Sequence, residues 1–120
     1  MAKRHVDFDV VREIGLALPG VEESSHHGAS SLKVSGRLLT CPALHKSAEP
    51  NSLIVRIGFD QRAGLLSADP KRYYITNHYV RHPGVLVRLS EMDSQTLYDL
   101  LRTSWEFVTA RAKMRNRNAG

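Results

Sequence analysis

Three bases stand between apolar neighbours in short β-prone stretches: Lys33 between Leu32 and Val34, Arg56 between Val55 and Ile57, and Arg88 between Val87 and Leu89. Successive side chains of a strand point to opposite faces, so each base should emerge on the side away from the core its neighbours fill. Arg37 stands at the shoulder of a tight turn, and Arg115 adds charge near the C-terminus. Such a face can hold phosphates, because each phosphate neutralised releases counterions and adds salt-sensitive affinity. The same pattern equally describes a solvated sheet face that charge keeps from sticking. A second group is Asn77-His78-Tyr79, followed by Arg81 and His82. Tyr79 there could stack on a base or sugar while His78 and Arg81 contact phosphate or a carboxylate. Alternatively, His78 serves to hydrogen-bond the backbone of a demanding loop.

Other chemistries find little purchase. His26 and His27 are adjacent, which on a strand sends them to opposite faces, and the Pro83-Gly84 that follows His82 argues against a helix aligning it with His78. No carboxylate stands at ligand spacing, so no metal is expected. Cys41 is the only cysteine. It cannot form an intramolecular disulfide, and inside an apolar strand it reads as a small core residue. Ser24, Ser25 and His26 beside Glu22 and Glu23 could be drawn as a triad, but neighbours in sequence do not supply triad geometry. Phosphate-cradling glycine loops, GxSxG and HExxH are all missing from the sequence. The expectation is a protein that is not an enzyme and carries no cofactor.

The chain's 120 residues suit one domain spanning 1–120, with 113–120 as a flexible basic tail. Hydrophobic residues make up 42% and charged residues 24%, which is ordinary for a globular chain. Seventeen Lys and Arg against twelve Asp and Glu give a formal charge of +5, which favours polyanionic partners. No apolar run reaches the ~20 residues that span a bilayer, and the N-terminus lacks a signal-peptide pattern. A cytoplasmic monomer without membrane contact is expected, with DNA as the candidate partner.

The elements that must position these residues follow from periodicity. Asp7 can cap a helix over Phe8–Leu18, with Phe8, Val11, Ile14 or Gly15, and Leu18 on one stripe, stopped by Pro19-Gly20. Leu32–Val34 and Arg37–Cys41 flank Ser35-Gly36 as a tight hairpin. The His45–Asn51 segment reads as an exposed loop, and Ser52–Ile57 as a strand. A short helical turn over Asp60–Ala68 precedes strands at Arg72–Thr76 and Val85–Leu89. Asp93 can cap a closing helix over Ser94–Ala112, whose stripe is Leu97, Leu100, Leu101, Trp105, Val108 and Ala112. Two single-stripe helices cover one face of an antiparallel sheet, leaving the other open with polar residues outward. The fold class is α+β.

The chain resembles the MmcQ/YjbR-like family over nearly its whole length. The resemblance is carried by Ala17-Leu18-Pro19-Gly20-Val21-Glu22-Glu23, by His27-Gly28 with Leu32–Arg37, by Leu65–Pro70, by Tyr74–Tyr79 and by Val85–Leu89. It implies two helices on one face of an antiparallel sheet, a frataxin/CyaY-like arrangement, and DNA binding through a double-wing motif in which hairpins act as wings. Ser30-Ser31 departs from the larger apolar residue the pattern leads one to expect, and Arg81-His82-Pro83-Gly84 is more basic. The frataxin-like iron function does not carry over. The first helix offers Asp7, Asp9 and Glu13 with Arg12 among them, whereas hard cations need dense oxygen ligands.

Overall fold

The computed structural model describes residues 6–26 and 28–119, without the side chains of His26 and of residues 115–119. Asp7 caps α1 (Phe8–Leu16), its carboxylate accepting the Val10 N–H at 3.1 Å. Six strands follow with two further helices: β1 (Val21–His26), β2 (Ala29–Val34), β3 (Arg37–Pro42), β4 (Ser52–Val55), α2 (Phe59–Ala68), β5 (Tyr73–Tyr74), β6 (Val85–Arg88) and α3 (Ser94–Ala119). A 3-10 turn, Leu89–Glu91, joins β6 to α3. Asp93 caps α3 by accepting from the Thr96 N–H at 2.8 Å.

The strands form one sheet in the order β1-β2-β3-β4-β6-β5, every pairing antiparallel. Ser35 and Gly36, both at positive φ, make the β2–β3 turn, so that Val34 pairs with Arg37. That conformation matches the twist of the flanking strands. A register shift between Leu32 and Lys33 leaves Leu39 without a partner on β2, and both Leu39 and Thr40 are fully buried.

The core lies between one sheet face and the helices. Val10 and Val11 of α1 and Leu97, Leu100, Leu101 and Val108 of α3 meet Leu32, Val34, Leu39, Leu53, Val55, Val85 and Val87. Gly15 permits the close approach of α1, since a Cβ there would stand 2.4 Å from Leu32 Cδ1. Trp105 ties α3 to the α1–β1 turn by donating its indole N–H to the Pro19 carbonyl at 2.7 Å.

Three expectations change. β1 is a strand although its sequence, Val-Glu-Glu-Ser-Ser-His, carries no apolar alternation; it is an outer strand whose Glu22 to Ser25 are all exposed. The last helix runs on through Ala119 rather than ending near Ala112, because neither proline nor glycine interrupts 113–119. The face away from the helices is not simply polar. Cys41, Ile54, Leu86 and Tyr74 face one another across β3, β4, β6 and β5, and Cys41 and Leu86 are buried. Segments 43–51 and 75–84 fold back toward this face and shelter its middle.

Candidate functional site

The sheltered middle of that face is a cavity of about 550 Å³. Leu38, Cys41 and Ile54 of β3 and β4 form its floor, and Arg56 stands at the end of β4. Pro42, Leu44 and His45 close one side, and His78, Tyr79, His82, Pro83 and Gly84 close the other. This volume falls within the roughly 300–1,000 Å³ of small-molecule sites.

The 75–84 segment holds its shape through named contacts. Tyr79 N–H donates to the Thr76 carbonyl at 3.0 Å and His82 N–H to the Tyr79 carbonyl at 3.1 Å, two successive turns. Arg62 of α2 then fastens the segment, donating to the carbonyls of Val80 (3.0 Å), His82 (3.0 Å) and Gly84 (3.2 Å). Its guanidinium also lies over the Phe59 ring, 4.8 Å from the centroid. Gly84 is needed where the segment meets β4: an added Cβ would stand 3.1 Å from both the Val55 carbonyl oxygen and Ile54 Cδ1.

Three rings make the cavity wall. His45 and His78 stack with centroids 3.5 Å apart and planes 5° apart, and Tyr79 meets His78 edge-on at 4.8 Å. The His45 Nδ1 accepts the Ser47 N–H at 3.1 Å, and Ser47 Oγ reaches Thr76 Oγ1 at 2.8 Å, which joins the two segments. The Tyr79 hydroxyl accepts the His45 N–H at 3.4 Å. Lost solvation, with help from the neighbouring His78 and Lys46 charges, lowers the His45 pKa and favours its neutral ring. Burial pushes the Cys41 thiol up, against the opposing pull of Arg56, so it stays protonated at neutral pH.

Beside the cavity runs a slot of about 290 Å³ lined by Arg37, Leu38, Arg56, Pro83, Phe107, Val108 and Arg111. The two hollows share Leu38, Arg56 and Pro83, so they adjoin at those side chains. Among the described residues, no Asp or Glu lines either one. Among the described residues, the guanidinium groups of Arg37, Arg56 and Arg111 have no carboxylate partner; Arg111 lies over Phe107 at 5.3 Å. Burial, then the charges of Arg111 and Arg37, push Arg56 below the usual arginine pKa, although Cys41 opposes the shift. Arginine starts so high that Arg56 remains a cation at neutral pH.

The residues singled out in the sequence divide accordingly. Arg37 and Arg56 meet in the slot, and His78, Tyr79 and His82 line the cavity. Lys33 faces the same side, half-buried between Glu22 and Leu38 of the adjoining strands. Arg88 also points there but is committed. It grips Glu49 through two bonds of 2.9 and 2.6 Å, donates to the Pro70 and Lys71 carbonyls at 3.0 Å, and covers the Tyr74 ring at 4.3 Å. Asn77 and Arg81 are exposed and line neither hollow. The Arg115 side chain lies outside the described residues.

Sequence reasoning missed His45, Arg62 and Arg111. His45 sits in what reads as a plain polar loop, and nothing local says that the loop meets His78. Arg111 offered a faint signal: it lies three residues past the buried Val108, at the border of the apolar stripe.

A helix-backed antiparallel sheet with a cavity on its other face defines the class, a small α+β domain. The chain matches the YjbR family over residues 16–107, and it belongs to that family. It is similar in fold to a crystal structure of the Deinococcus radiodurans protein DR2400, which carries a DUF419 domain. The TM-score is 0.69 at 21% identity, over 91% of this chain and 83% of that one. Among curated proteins none matches the sequence. No helix among the described residues is long and apolar enough to cross a membrane.

Proposed function

We propose that this domain is a non-enzymatic DNA-binding module that holds phosphates in the arginine slot where the ends of β3 and β4 meet α3, next to the sheet face away from the helices. The single observation behind this reading is Arg56, half-buried, flanked by Arg37 and Arg111, and without a carboxylate among the described residues. Holding like charges together next to partly buried surface costs stability, and an anion bound among them would relieve that cost. Guanidinium groups suit phosphate because their donors form a planar fork. Lys33, on that sheet face, extends the basic strip along β2. Exposed Arg81 and the basic end of α3, with Lys113, add long-range attraction.

The test is fluorescence anisotropy with labelled duplex and single-stranded DNA at about 50 mM salt, where phosphate contacts are strong. Binding at micromolar protein that weakens steeply with added salt is expected, and an Arg56→Ala, Arg111→Ala variant should lose it. Absence of any binding under these conditions disposes of the reading.

A second reading is favoured by the cavity itself: a small anion or a protein partner bound at the Asn77–His82 segment, with His78, Tyr79 and His82 supplying contacts. Thermal stabilisation by small organic phosphates or carboxylates, abolished by His78→Ala with Tyr79→Ala, would speak for it. Unchanged melting across such a set would speak against it.

A further inference from the structure

We infer that the cavity receives the base of one unpaired nucleotide while Arg56 holds its phosphate, an inference that rests on the phosphate-binding reading above. The first support is adjacency. The cavity and the arginine slot adjoin at Leu38, Arg56 and Pro83, so Arg56 is within reach of the anionic end of a ligand whose flat apolar end lies in the cavity. The second is the lining. Leu38, Cys41 and Ile54 give an apolar floor, and the His45–His78 stack with Tyr79 gives a wall of flat rings. Every base has a π-face, so stacking against such rings tolerates any sequence.

The wall is also held in place before a ligand arrives. Arg62 pins the Val80, His82 and Gly84 carbonyls, and Ser47 links His45 to Thr76. Little ordering is then left to be done on binding. Inorganic phosphate would leave the apolar floor unused, and a simple aliphatic acid would not need a wall of rings. Among the described residues, no Asp or Glu in either lining stands to repel the phosphate. A base paired within a duplex is not free to enter a recess in a sheet unless it is unpaired and unstacked, which costs free energy. The site should therefore prefer single strands.

The experiment compares three labelled DNAs of about ten nucleotides, a length that spans one small binding domain, at one salt concentration. They are a single strand, the same strand made abasic throughout, and the duplex. The intact single strand should bind roughly tenfold or more tightly than the other two. His78→Ala with Tyr79→Ala should lower single-strand affinity to the level of the abasic strand. Equal binding of intact and abasic strands by the unaltered protein would overturn the inference while leaving phosphate binding in place. Failure of all three DNAs to bind would overturn both. The abasic comparison uses the unaltered protein, so it does not depend on any variant folding.

Discussion

His45 and His78 lie face to face, with ring centroids 3.5 Å apart and planes within 5°. Two imidazoles so placed tolerate poorly a charge on both, and the Ser47 N–H already occupies the His45 Nδ1 lone pair. The contact joins the segment after β3 to the segment after β5, so it fixes the shape of the cavity wall.

The stack predicts an acid-sensitive wall. The His45 pKa is lowered on folding from its ordinary 6.5, so folding favours the neutral ring. The stability this contributes is fully present above the unfolded value and is lost as pH falls through the folded value. Melting temperature should begin to fall below about pH 6.5, and His45→Gln should remove that part of the decline. A later decline belongs to Glu49, whose carboxyl is held below its ordinary 4.5 chiefly by its hydrogen bond to Arg88. That contribution is present above the unfolded carboxyl value and disappears as pH drops through the folded one. A stability curve flat from pH 7 to 5 would contradict the first assignment.

Arg62→Ala should unfasten the 80–84 segment. It removes hydrogen bonds to three backbone carbonyls at once. With hydrogen bonds to charged groups worth about 1.5–3 kcal/mol each, and strong overlap between three from one side chain, a loss of about 2–3 kcal/mol is expected in urea unfolding. Amide exchange at Val80 to Gly84 should quicken more than elsewhere. Unchanged exchange there would show that the segment holds itself.

Arg56 and Arg88 should respond oppositely to removal, although both are strand-end arginines on one face. Arg88→Ala abandons a two-bonded Glu49, two carbonyl contacts and the Tyr74 ring, and should cost about 1–3 kcal/mol. Arg56→Leu relieves repulsion from Arg37 and Arg111 and should be neutral or slightly stabilising in the free protein. Chemical denaturation of the two variants side by side measures this. Equal losses would mean that Arg56 is as structural as Arg88.

Gly84→Ala should destabilise by about 1–3 kcal/mol, the usual cost of overpacking. The new methyl would press on the Val55 carbonyl oxygen, which belongs to the β4 backbone and cannot swing aside. Serial comparison with Gly64→Ala is informative, because nothing stands within 4 Å of a Cβ there. That substitution, on an exposed position of α2, should be neutral or favourable.

Much of this architecture was legible in the sequence because its elements obey local rules. Asp7 and Asp93 cap the helices where helical spacing begins, and Ser35-Gly36 turns the hairpin. β1 escaped notice for a physical reason: its exposed residues carry no apolar period, and its pairing with β2 supplies the strand geometry. The site was half legible. Alternation alone placed Arg56 on the face away from the helices, but it also placed Arg88 there and could not say which one an acidic neighbour would neutralise. That distinction depends on Glu49, which is 39 residues away in sequence. His45 and Arg62 belong to the same class of long-range contacts, invisible to any reading of neighbours.

The central claim is that Arg37, Arg56 and Arg111 together hold phosphates. Its most direct measurement is the salt dependence of DNA affinity by fluorescence anisotropy. Three phosphate contacts predict a slope of log affinity against log salt near about −2.7 for duplex and about −2.1 for single strands. The Arg37→Ala, Arg56→Ala, Arg111→Ala variant should lose nearly all of that slope, whereas Lys71→Ala, outside both hollows, should keep it. A variant that binds DNA with the unaltered protein's affinity and slope would contradict the account.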